Sequence, residues 1–314
     1  MDVIKEAYSK LIKDKAKALG FDACGFTKAE ALTEEKEILR GWLDNNRHGN
    51  MQYMANHFEK RVDPSMLVEG AKSVIVLLTN YTPQKKQTDP DAPIIARYAY
   101  GQDYHHVIKD KLKLLFSYIQ EEIYPELEGR YFVDSAPVLE RSLGVKAGLG
   151  WIGKNTNLIH KKLGSYVFIS ELIINLELPA SEPIKDACGG CTRCIDACPT
   201  QALIAPKTLD ARKCISYLTI ENKEDIPEEF VGKMENRVFG CDICQEVCPW
   251  TWKSRPHTNE NLQPVTKILE LTKEEWQTLN PDTFSETFRK SAIKRAKYTG
   301  LKRNIDFLLS KKQK

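Results

Sequence analysis

Seven of the nine cysteines fall in two short runs that both end in Cys-Pro. The first run, CGGCTRCIDACP, places Cys188, Cys191, Cys194 and Cys198 at spacings of two, two and three residues. In bacterial ferredoxins this spacing lets three thiolates bind one 4Fe–4S cluster, while the fourth binds a second cluster. The run therefore predicts ligands for two iron–sulfur clusters, which carry electrons one at a time.

The second run, CDICQEVCP, contains only Cys241, Cys244 and Cys248, so one ligand is missing locally. Cys214 lies between the runs and completes the set. We expect one cluster on Cys188, Cys191, Cys194 and Cys248 and the other on Cys198, Cys214, Cys241 and Cys244. The ninth cysteine, Cys24, follows an apolar stretch and is expected to be a small buried residue.

Structural zinc is the alternative use of clustered thiols. Zinc sites usually combine two Cys-x-x-Cys pairs across a longer loop. That pattern does not explain the third close cysteine or the Cys-Pro endings. Disulfides are rarely stable in a reducing compartment, and the charged N-terminus lacks the apolar run of a signal peptide. With no uninterrupted apolar stretch of about 18 residues, we expect a cytoplasmic protein that does not enter a membrane.

The elements that position these ligands follow from hydrophobic periodicity. The chain has 314 residues, 42% hydrophobic and 28% charged, with a net charge of +3, so one to three ordinary domains are expected. Apolar spacings predict helices over 1–19 and 104–123, and β-branched apolar runs predict strands over 73–80 and 166–176. A further helix over 34–58 is expected to be interrupted near 45–50. This alternation predicts an α/β layered N-terminal domain.

A change in composition near 179–185 separates the N-terminal domain from the cysteine runs. We expect three parts: an α/β domain over 1–178, a ferredoxin-like domain with two clusters over 179–260, and a short basic helical segment over 261–314. The overall class is α+β. A simple electron-carrier ferredoxin does not need so long a segment before its clusters, so the first domain is expected to hold the acceptor chemistry.

Four segments resemble the epoxyqueuosine reductase family: EKRVDP (59–64), RYAYGQDYH (97–105), YFVDSAPVLERSLGVKAGLGWIGKNTNLI (131–159) and KCISYLTIENK (213–223). The resemblance implies that the N-terminal domain holds cobalamin against the two-cluster domain. It implies reduction of the epoxide of epoxyqueuosine, at the wobble position of tRNA, to the alkene of queuosine. This is the last step of queuosine biosynthesis in that family.

Removal of an epoxide oxygen needs electrons and an acid. Cobalt in a corrin can bond to carbon and accept single electrons from the clusters, while the protein positions it. Asp134 ends the predicted strand RYFVD and precedes a helix expected near Pro137, so the residues alone favour an N-cap role. The resemblance implies instead that Asp134 is the proton donor, and burial beside the corrin is expected to raise its pKa.

The resemblance also implies the cofactor contacts. Arg61 is one of them, although a surface ion pair with Glu59 or Asp63 is the alternative. The D-x-H-x-x-G pattern of histidine-ligated cobalamin is absent, and His105 and His106 are expected to be solvated or capping residues. The full expected set of cofactor contacts is Arg61, Ala96, Arg97, Asp134, Lys154, Asn155, Leu158, Ile169 and Ser216.

A basic C-terminal segment is the candidate for tRNA contact. Residues 289–314 contain ten Lys or Arg against one acid. Apolar Ile293, Ala296, Leu301, Ile305 and Leu308 predict a helix over 289–303 and beyond, with its cations directed outward to phosphates. A solvated basic tail is the alternative. The expected tRNA contacts are Lys223, Arg237, Lys294, Arg295, Lys297, Lys302 and Arg303.

Aromatic walls for an extruded base are expected from Tyr217, Trp250 and Trp252, with ordinary packing as the alternative. Longer members of the family carry a HEAT-like helical-repeat domain after this point. The sequence here contains little more than its first helices, so tRNA contact must fall on the basic helix and the ferredoxin-like surface.

Two other functions compete. A reductive dehalogenase-like cobalamin enzyme would act on small organohalides, but such enzymes generally carry an export signal and use a tyrosine donor. A ferredoxin-type carrier would bind no cobalamin. For the reductase we expect a monomer that receives electrons from an external low-potential donor.

Overall fold

The computed structural model describes residues 2–310 as a succession of helices and short strands. The α-helices are α1 (Asp2–Ala18), α2 (Thr33–Asp44), α3 (Phe58–Val62), α4 (Tyr104–Glu122), α5 (Glu140–Lys146), α6 (Arg193–Asp196), α7 (Ile215–Ile220), α8 (Ile243–Glu246), α9 (Thr266–Leu269), α10 (Lys273–Gln277), α11 (Pro281–Thr287) and α12 (Lys297–Ser310). The β-strands are β1 (Ala23–Lys28), β2 (Ser73–Asn80), β3 (Ile94–Ile95), β4 (Gly129–Phe132), β5 (Trp151–Ile152), β6 (Leu158–Ile159), β7 (Val167–Ile174), β8 (Leu203–Ala205), β9 (Thr208–Leu209) and β10 (Arg237–Phe239).

A four-stranded sheet in the order β1–β2–β7–β4 organises the N-terminal part, and every neighbouring pair is antiparallel. All eight residues of β2 are buried. Ile75 and Leu77 pack toward α1 and α4, whereas Val74 and Val76 pack toward α5. Successive side chains of a strand point to opposite faces, so a strand covered on both faces is apolar throughout.

The predicted elements largely coincide with this architecture. The helices expected over 1–19 and 104–123 are α1 and α4, and the strands expected over 73–80 and 166–176 are β2 and β7. The interrupted helix over 34–58 becomes α2, a short 3₁₀ turn and α3. The α+β class and the layering are confirmed. None of the helices formed by residues 2–310 combines the length and apolar character of a membrane span.

The cysteine region consists of two similar halves. Helix α6 lies within the first Cys run and α8 within the second, and these two short helices contact each other. A hairpin of β8 and β9 and the helix α7 connect the halves. This doubled arrangement corresponds to the two Cys-Pro runs of the sequence.

The C-terminal segment packs back onto the molecule. An apolar cluster joins Ile95 and Tyr100 of the N-terminal part to Trp276, Leu301 and Ile305. Strand β3 pairs in parallel with β10, which adds a second connection. The three parts expected from the sequence therefore share one core around residues 92–100.

The predicted basic helix is two segments. Residues 292–296 form a 3₁₀ helix, and α12 starts at Lys297, whose φ of +58° breaks the continuity. Ile293, Leu301, Ile305 and Leu308 are buried as the apolar spacing predicts. Of the cations counted in the sequence, Lys311, Lys312 and Lys314 lie outside the described residues.

Candidate active site

The clustered cysteines lie in two adjoining groups. Cys188 and Cys248 pack in one apolar cluster with Trp151, and Cys194 interacts electrostatically with both thiols. Four other thiols line a single cleft, namely Cys198, Cys214, Cys241 and Cys244. Cys191 is exposed, whereas Cys24 is half-buried in the N-terminal core.

An all-thiolate donor set suits 4Fe–4S clusters. Among residues 2–310, no three His, Cys, Asp or Glu side chains converge closely enough to hold a single metal ion. The four thiolates of a cubane bind four different irons, so they do not need to meet at one point. The two groups of thiols therefore fit two clusters in their chemistry and in their number.

The cleft lies between the N-terminal domain and the cysteine loops. Its volume is about 250 Å³, and its non-cysteine walls include Ala96, Tyr98, Asn155 and Ser216. Arg141 and Asn157 also line it. A space bordered on one side by four thiols and on the other by the N-terminal domain can bring an acceptor group close to a cluster.

Asp134 lies beside this cleft in a network of short hydrogen bonds. The Tyr104 hydroxyl donates to Asp134 Oδ2 at 2.5 Å, and the Nε2 atom of His105 lies 3.1 Å from the same oxygen. Tyr98, which lines the cleft, meets the Tyr104 ring edge-on with centroids 6.0 Å apart. The side chain of Asp134 is 52% exposed, so its carboxylate is accessible from outside.

Asp134 adopts a constrained backbone conformation. Its φ is +57°, a left-handed value that is uncommon outside glycine. Its backbone N–H donates to Glu140 Oε1 at 2.5 Å, which holds the turn. Helix α5 begins at Glu140 and its N-cap, Leu139, makes no side-chain cap. The alternative in which Asp134 caps this helix is therefore wrong.

Two hydrogen-bond donors dominate the electrostatics of Asp134. Burial would raise its pKa, but hydrogen bonds from His105 and Tyr104 stabilise the carboxylate and hold the pKa below its usual value. Burial also raises the pKa of Glu140, to about 8, and the neighbouring Asp134 charge acts in the same direction. The rise expected on burial beside the corrin stays a prediction, because the lowering here comes from two donors of the chain itself.

Comparisons with known proteins agree with this geometry. Residues 61–135 match the family model described as "Epoxyqueuosine reductase QueG, DUF1730". Residues 187–251 match the model of a 4Fe-4S double cluster binding domain. The epoxyqueuosine reductase of Cellulophaga algicola is 55% identical to this chain, over 97% of the chain and 99% of the relative.

The chain belongs to the epoxyqueuosine reductase family.

Solved structures of this family have the same fold. A selenomethionine-labelled epoxyqueuosine reductase superposes with a TM-score of 0.91 at 31% identity, covering 98% of this chain and 82% of the other. An epoxyqueuosine reductase with a tRNA-Tyr epoxyqueuosine-modified stem loop gives a TM-score of 0.87 at 30% identity and the same coverage. The chain is therefore an oxidoreductase with a double 4Fe–4S domain, and zinc is not needed to explain its cysteines.

The position of Arg61 excludes the alternative role, in which it would form a surface ion pair with Glu59 or Asp63. The residue is buried, and its Nη2 donates to the Tyr53 carbonyl at 2.8 Å. Glu59 pairs with Lys36 instead. Within the described part of the chain, the buried Nε of Arg61 has no hydrogen-bond partner. A buried guanidinium with an unused donor fits a polar group of a bound cofactor.

The remaining expected cofactor residues divide between the cleft and its supports. Ala96, Asn155 and Ser216 line the cleft. Leu158 and Ile169 pack in the core beneath α5.

Two expected cofactor residues are engaged with the cysteine loops. The Nζ of Lys154 donates to the Gly189 carbonyl at 2.7 Å, inside the first Cys run. Arg97 forms an ion pair with Glu246 at 3.2 Å. Both side chains join the two domains next to the cleft.

Four of the seven expected tRNA contacts have exposed side chains, and the other three form hydrogen bonds or ion pairs within the protein. Lys223, Lys294, Arg295 and Lys297 are exposed. Lys302 pairs with Asp306 one turn along α12. These five cations lie on the surface, where phosphates can reach them.

Two of the expected tRNA contacts serve the fold instead. Arg237 is buried and forms an ion pair with Glu246 at 2.8 Å. Arg303 donates to the carbonyls of Leu218 at 2.9 Å and of Asn222 at 2.7 Å. Their predicted role as phosphate contacts is therefore corrected, because each guanidinium already donates to strong acceptors within the protein.

The aromatic candidates also separate. Tyr217 is buried in the core, and its hydroxyl accepts a hydrogen bond from the Asn50 N–H at 2.8 Å. Its role is therefore ordinary packing, which is the alternative to a base-stacking wall. Trp250 meets Trp151 edge-on with centroids 5.0 Å apart. Trp252 is 61% exposed and Arg193 stacks over its ring. Of these three aromatic residues, Trp252 has the most exposed side chain.

His105 is the site residue that the sequence interpretation missed. It was expected to be solvated or capping, yet it is buried and bridges Asp103 and Asp134. The available signal was the tripeptide Asp-Tyr-His at 103–105, which combines an acid, a phenol and an imidazole at the start of a helix. Tyr104 belongs to the same tripeptide.

Proposed function

We propose that this family member reduces epoxyqueuosine to queuosine in tRNA, with cobalamin in the cleft and electrons relayed by two 4Fe–4S clusters. The observation that carries the proposal is the cleft itself. Four cysteines and Tyr98 line it, and Tyr98 leads through the Tyr104 ring to Asp134. The proposed electron source thus lies at the cleft, and the proposed proton source is joined to its wall through two aromatic side chains.

We assign one cluster to Cys188, Cys191, Cys194 and Cys248, and the other to Cys198, Cys214, Cys241 and Cys244. The packing of Cys188 with Cys248 supports the crossed fourth ligand. The second set is the one that lines the cleft, so its cluster is the one that delivers electrons there. An external low-potential donor supplies electrons to the cluster on the first set of cysteines.

Cobalamin fits the residues of the cleft. Ala96 and Ser216 line the cleft with small side chains that allow close approach of a flat ring, and Asn155 lines it while its amide donates to the Cys244 carbonyl. Outside this lining, the buried Nε of Arg61 has no hydrogen-bond partner within residues 2–310 and offers a polar contact. When bound, cobalamin supplies a cobalt centre that takes up single electrons and can bond to carbon. The chain's part is to bind the ring, to orient the substrate and to supply protons.

Asp134 is the proposed acid. In the structure it carries hydrogen bonds that stabilise its charged form. Exclusion of water by cofactor and substrate would raise the cost of that charge and favour the protonated form. Its accessible carboxyl is placed to protonate the oxygen that leaves the substrate.

The tRNA substrate is proposed to lie along the exposed cations Lys223, Lys294, Arg295 and Lys297 and the half-buried Lys302. A related enzyme has been solved with an epoxyqueuosine-modified tRNA stem loop. Phosphate contacts from such residues give strongly salt-dependent binding. We expect the cofactor domain over 1–178, the cluster domain over 179–260 and the basic segment over 261–314 to act together as a monomer in the cytoplasm.

The test is a turnover assay under anaerobic conditions. The protein is purified, reconstituted with iron, sulfide and cobalamin, and incubated with a low-potential reductant and an epoxyqueuosine-containing stem loop. Nucleoside mass spectrometry then measures queuosine. Conversion that depends on cobalamin supports the proposal. If the protein converts chlorinated phenols but does not convert the stem loop, the proposal is overturned in favour of a dehalogenase.

A further inference from the structure

Two carboxylates hold the buried imidazole of His105. The Nδ1 atom lies 2.6 Å from Asp103 Oδ1, and the Nε2 atom lies 3.1 Å from Asp134 Oδ2. The residue is 7% exposed. A ring with a carboxylate on each nitrogen is best satisfied as an imidazolium, in which both nitrogens donate.

We infer that His105 holds the second proton of the reaction and transfers it to Asp134 while the substrate is still bound. The inference rests on the proposed function, in which Asp134 is the acid. His105 is a positioning and proton-supplying residue, because it acts through Asp134, whose Oδ2 its Nε2 contacts.

The stoichiometry of the reaction motivates this role. An epoxide, two electrons and two protons give an alkene and one water molecule, so both protons end on the same leaving oxygen. A single carboxyl carries only one acidic proton. After Asp134 has donated, the Nε2 proton of His105 moves to Asp134 Oδ2, and His105 becomes neutral with its remaining proton on Nδ1, facing Asp103. The external reductant supplies both electrons, and solvent restores both protons after product release.

The charges around His105 favour its protonated form. Burial would lower the pKa of the imidazole, but hydrogen bonds to Asp103 and Asp134 outweigh this and raise it. Arg295 opposes them weakly, with its Nε 3.8 Å from Asp103 Oδ2. Glu140 also faces the group, and the Tyr104 ring lies beside the imidazole, with centroids 4.0 Å apart and an angle of 32° between the planes.

The fold does not require the His105 ring for its local structure. Helix α4 is capped by Asp103, whose side chain accepts from the backbone N–H of His105. Tyr104 is held independently, because it stacks on Phe168 at 4.0 Å with an angle of 8° between the planes. A substitution of the imidazole therefore leaves the cap and the neighbouring aromatic contact in place.

The first experiment measures the protonation of His105 without turnover. Nitrogen-15 NMR of the histidine rings is recorded against pH in the reconstituted protein. His105 is expected to be doubly protonated at pH 7, and Asp103→Asn should lower its pKa. A neutral His105 at pH 7, or no response to Asp103→Asn, would contradict the inference.

The second experiment compares His105→Gln with His106→Gln in single turnover. The amide of Gln can hydrogen-bond but cannot transfer a proton. Because general acid–base catalysis contributes about 10²-fold or more, we expect queuosine formation in His105→Gln to fall by about 100-fold, with stem-loop affinity and cofactor content unchanged. The exposed His106 is the matched control. Added imidazole should restore part of the rate in His105→Ala.

The outcomes separate the inference from the proposed function. If wild type converts the stem loop and His105→Gln keeps its rate and pH profile, the second-proton role is wrong while the function stands. If wild type converts nothing, the proposed function itself fails. A loss of stem-loop binding in His105→Gln would point to a structural role and would also overturn the inference.

Discussion

The hydroxyl of Tyr104 donates to Asp134 Oδ2 at 2.5 Å, and Phe168 supports the Tyr104 ring from behind. The contact joins the packed face of α4 to the turn that carries the candidate acid. The position of the carboxylate is thereby set by a buried aromatic stack. The turn itself is held by Glu140.

Replacing Asp134 by Asn should abolish turnover while leaving the cofactors bound. The amide preserves the shape and the acceptor for Tyr104, but it cannot release a proton. Loss of a general acid costs about 10² to 10⁴ in rate. Queuosine formation, iron content and the corrin absorbance should be measured on the same preparation. A normal single-turnover rate would remove Asp134 from the mechanism.

Serine substitutions should separate the two clusters. Cys198→Ser should damage the cluster beside the cleft, and Cys248→Ser the cluster that contains Cys188. Intact protein should contain about eight irons, four for each cluster. Iron analysis and electron paramagnetic resonance of reduced protein should therefore show different remaining signals in the two variants. Cys24→Ala is the control and should keep every iron; identical signals from both serine variants would refute the crossed assignment.

Replacing Arg61 by Met should weaken cobalamin binding. Methionine fills the buried volume but removes the Nε donor that has no partner within residues 2–310. A hydrogen bond to a charged group contributes about 1.5 to 3 kcal/mol, which corresponds to a tenfold or greater loss of affinity. Titration followed by corrin absorbance measures the dissociation constant. The exposed neighbour Lys60→Met should bind cobalamin as wild type does, and equal affinities in both variants would exclude Arg61 from the site.

The stability of the protein should depend on Glu171 at neutral and alkaline pH. Glu171 is fully buried on β7, and within the described residues neither carboxylate oxygen has a hydrogen-bond partner. Burial raises its pKa well above the usual value, and Glu140 and Asp134 add to the effect. The pKa of Glu171 is higher in the folded protein than in the unfolded chain. Its contribution to stability is therefore fully present only at pH values below the unfolded pKa. The stability is then lost as pH rises toward the folded pKa.

For one such carboxyl the loss is about 1.4 kcal/mol per pH unit. Glu171→Gln should therefore raise the melting temperature at pH 8 more than at pH 5. The exposed Glu121→Gln is the control and should show no such difference. A pH-independent effect of Glu171→Gln would mean that the buried carboxyl is not protonated in the folded state.

Arg303 and Lys294 should differ in what they support. Arg303→Ala removes donors to three backbone carbonyls, those of Leu218, Asn222 and Glu224. It should lower the free energy of unfolding by about 2 kcal/mol. Lys294→Ala should leave stability unchanged, weaken stem-loop binding and reduce the salt slope by about 1. An Arg303→Ala protein of normal stability but weak tRNA binding would reverse this assignment.

The sequence predicted what is encoded locally. The apolar run SVIVLLTN coincides with β2 because a strand covered on both faces needs no polar alternation. The Cys-Pro runs predicted the double cluster domain because ligand spacing on a short loop is a local property. The family resemblance was equally readable, since its motifs are continuous segments.

Long-range contacts were beyond such reasoning. His105 and Asp134 are 29 residues apart, and only the packing of α4 beside the end of β4 brings them together. Arg303 has the composition of a phosphate contact, yet its acceptors are backbone carbonyls 79 to 85 residues away. The lowered pKa of Asp134 has the same origin, because its donors come from another element.

Metal analysis of anaerobically prepared protein tests the central claim most directly. The protein is expressed with iron and sulfur supply, incubated with cobalamin, freed of unbound cofactor by gel filtration, and analysed for iron, cobalt and zinc. The two assigned clusters and one cobalamin predict about eight irons and about one cobalt per chain. Stoichiometric zinc, about four irons, or cobalt that separates from the protein would contradict the claim.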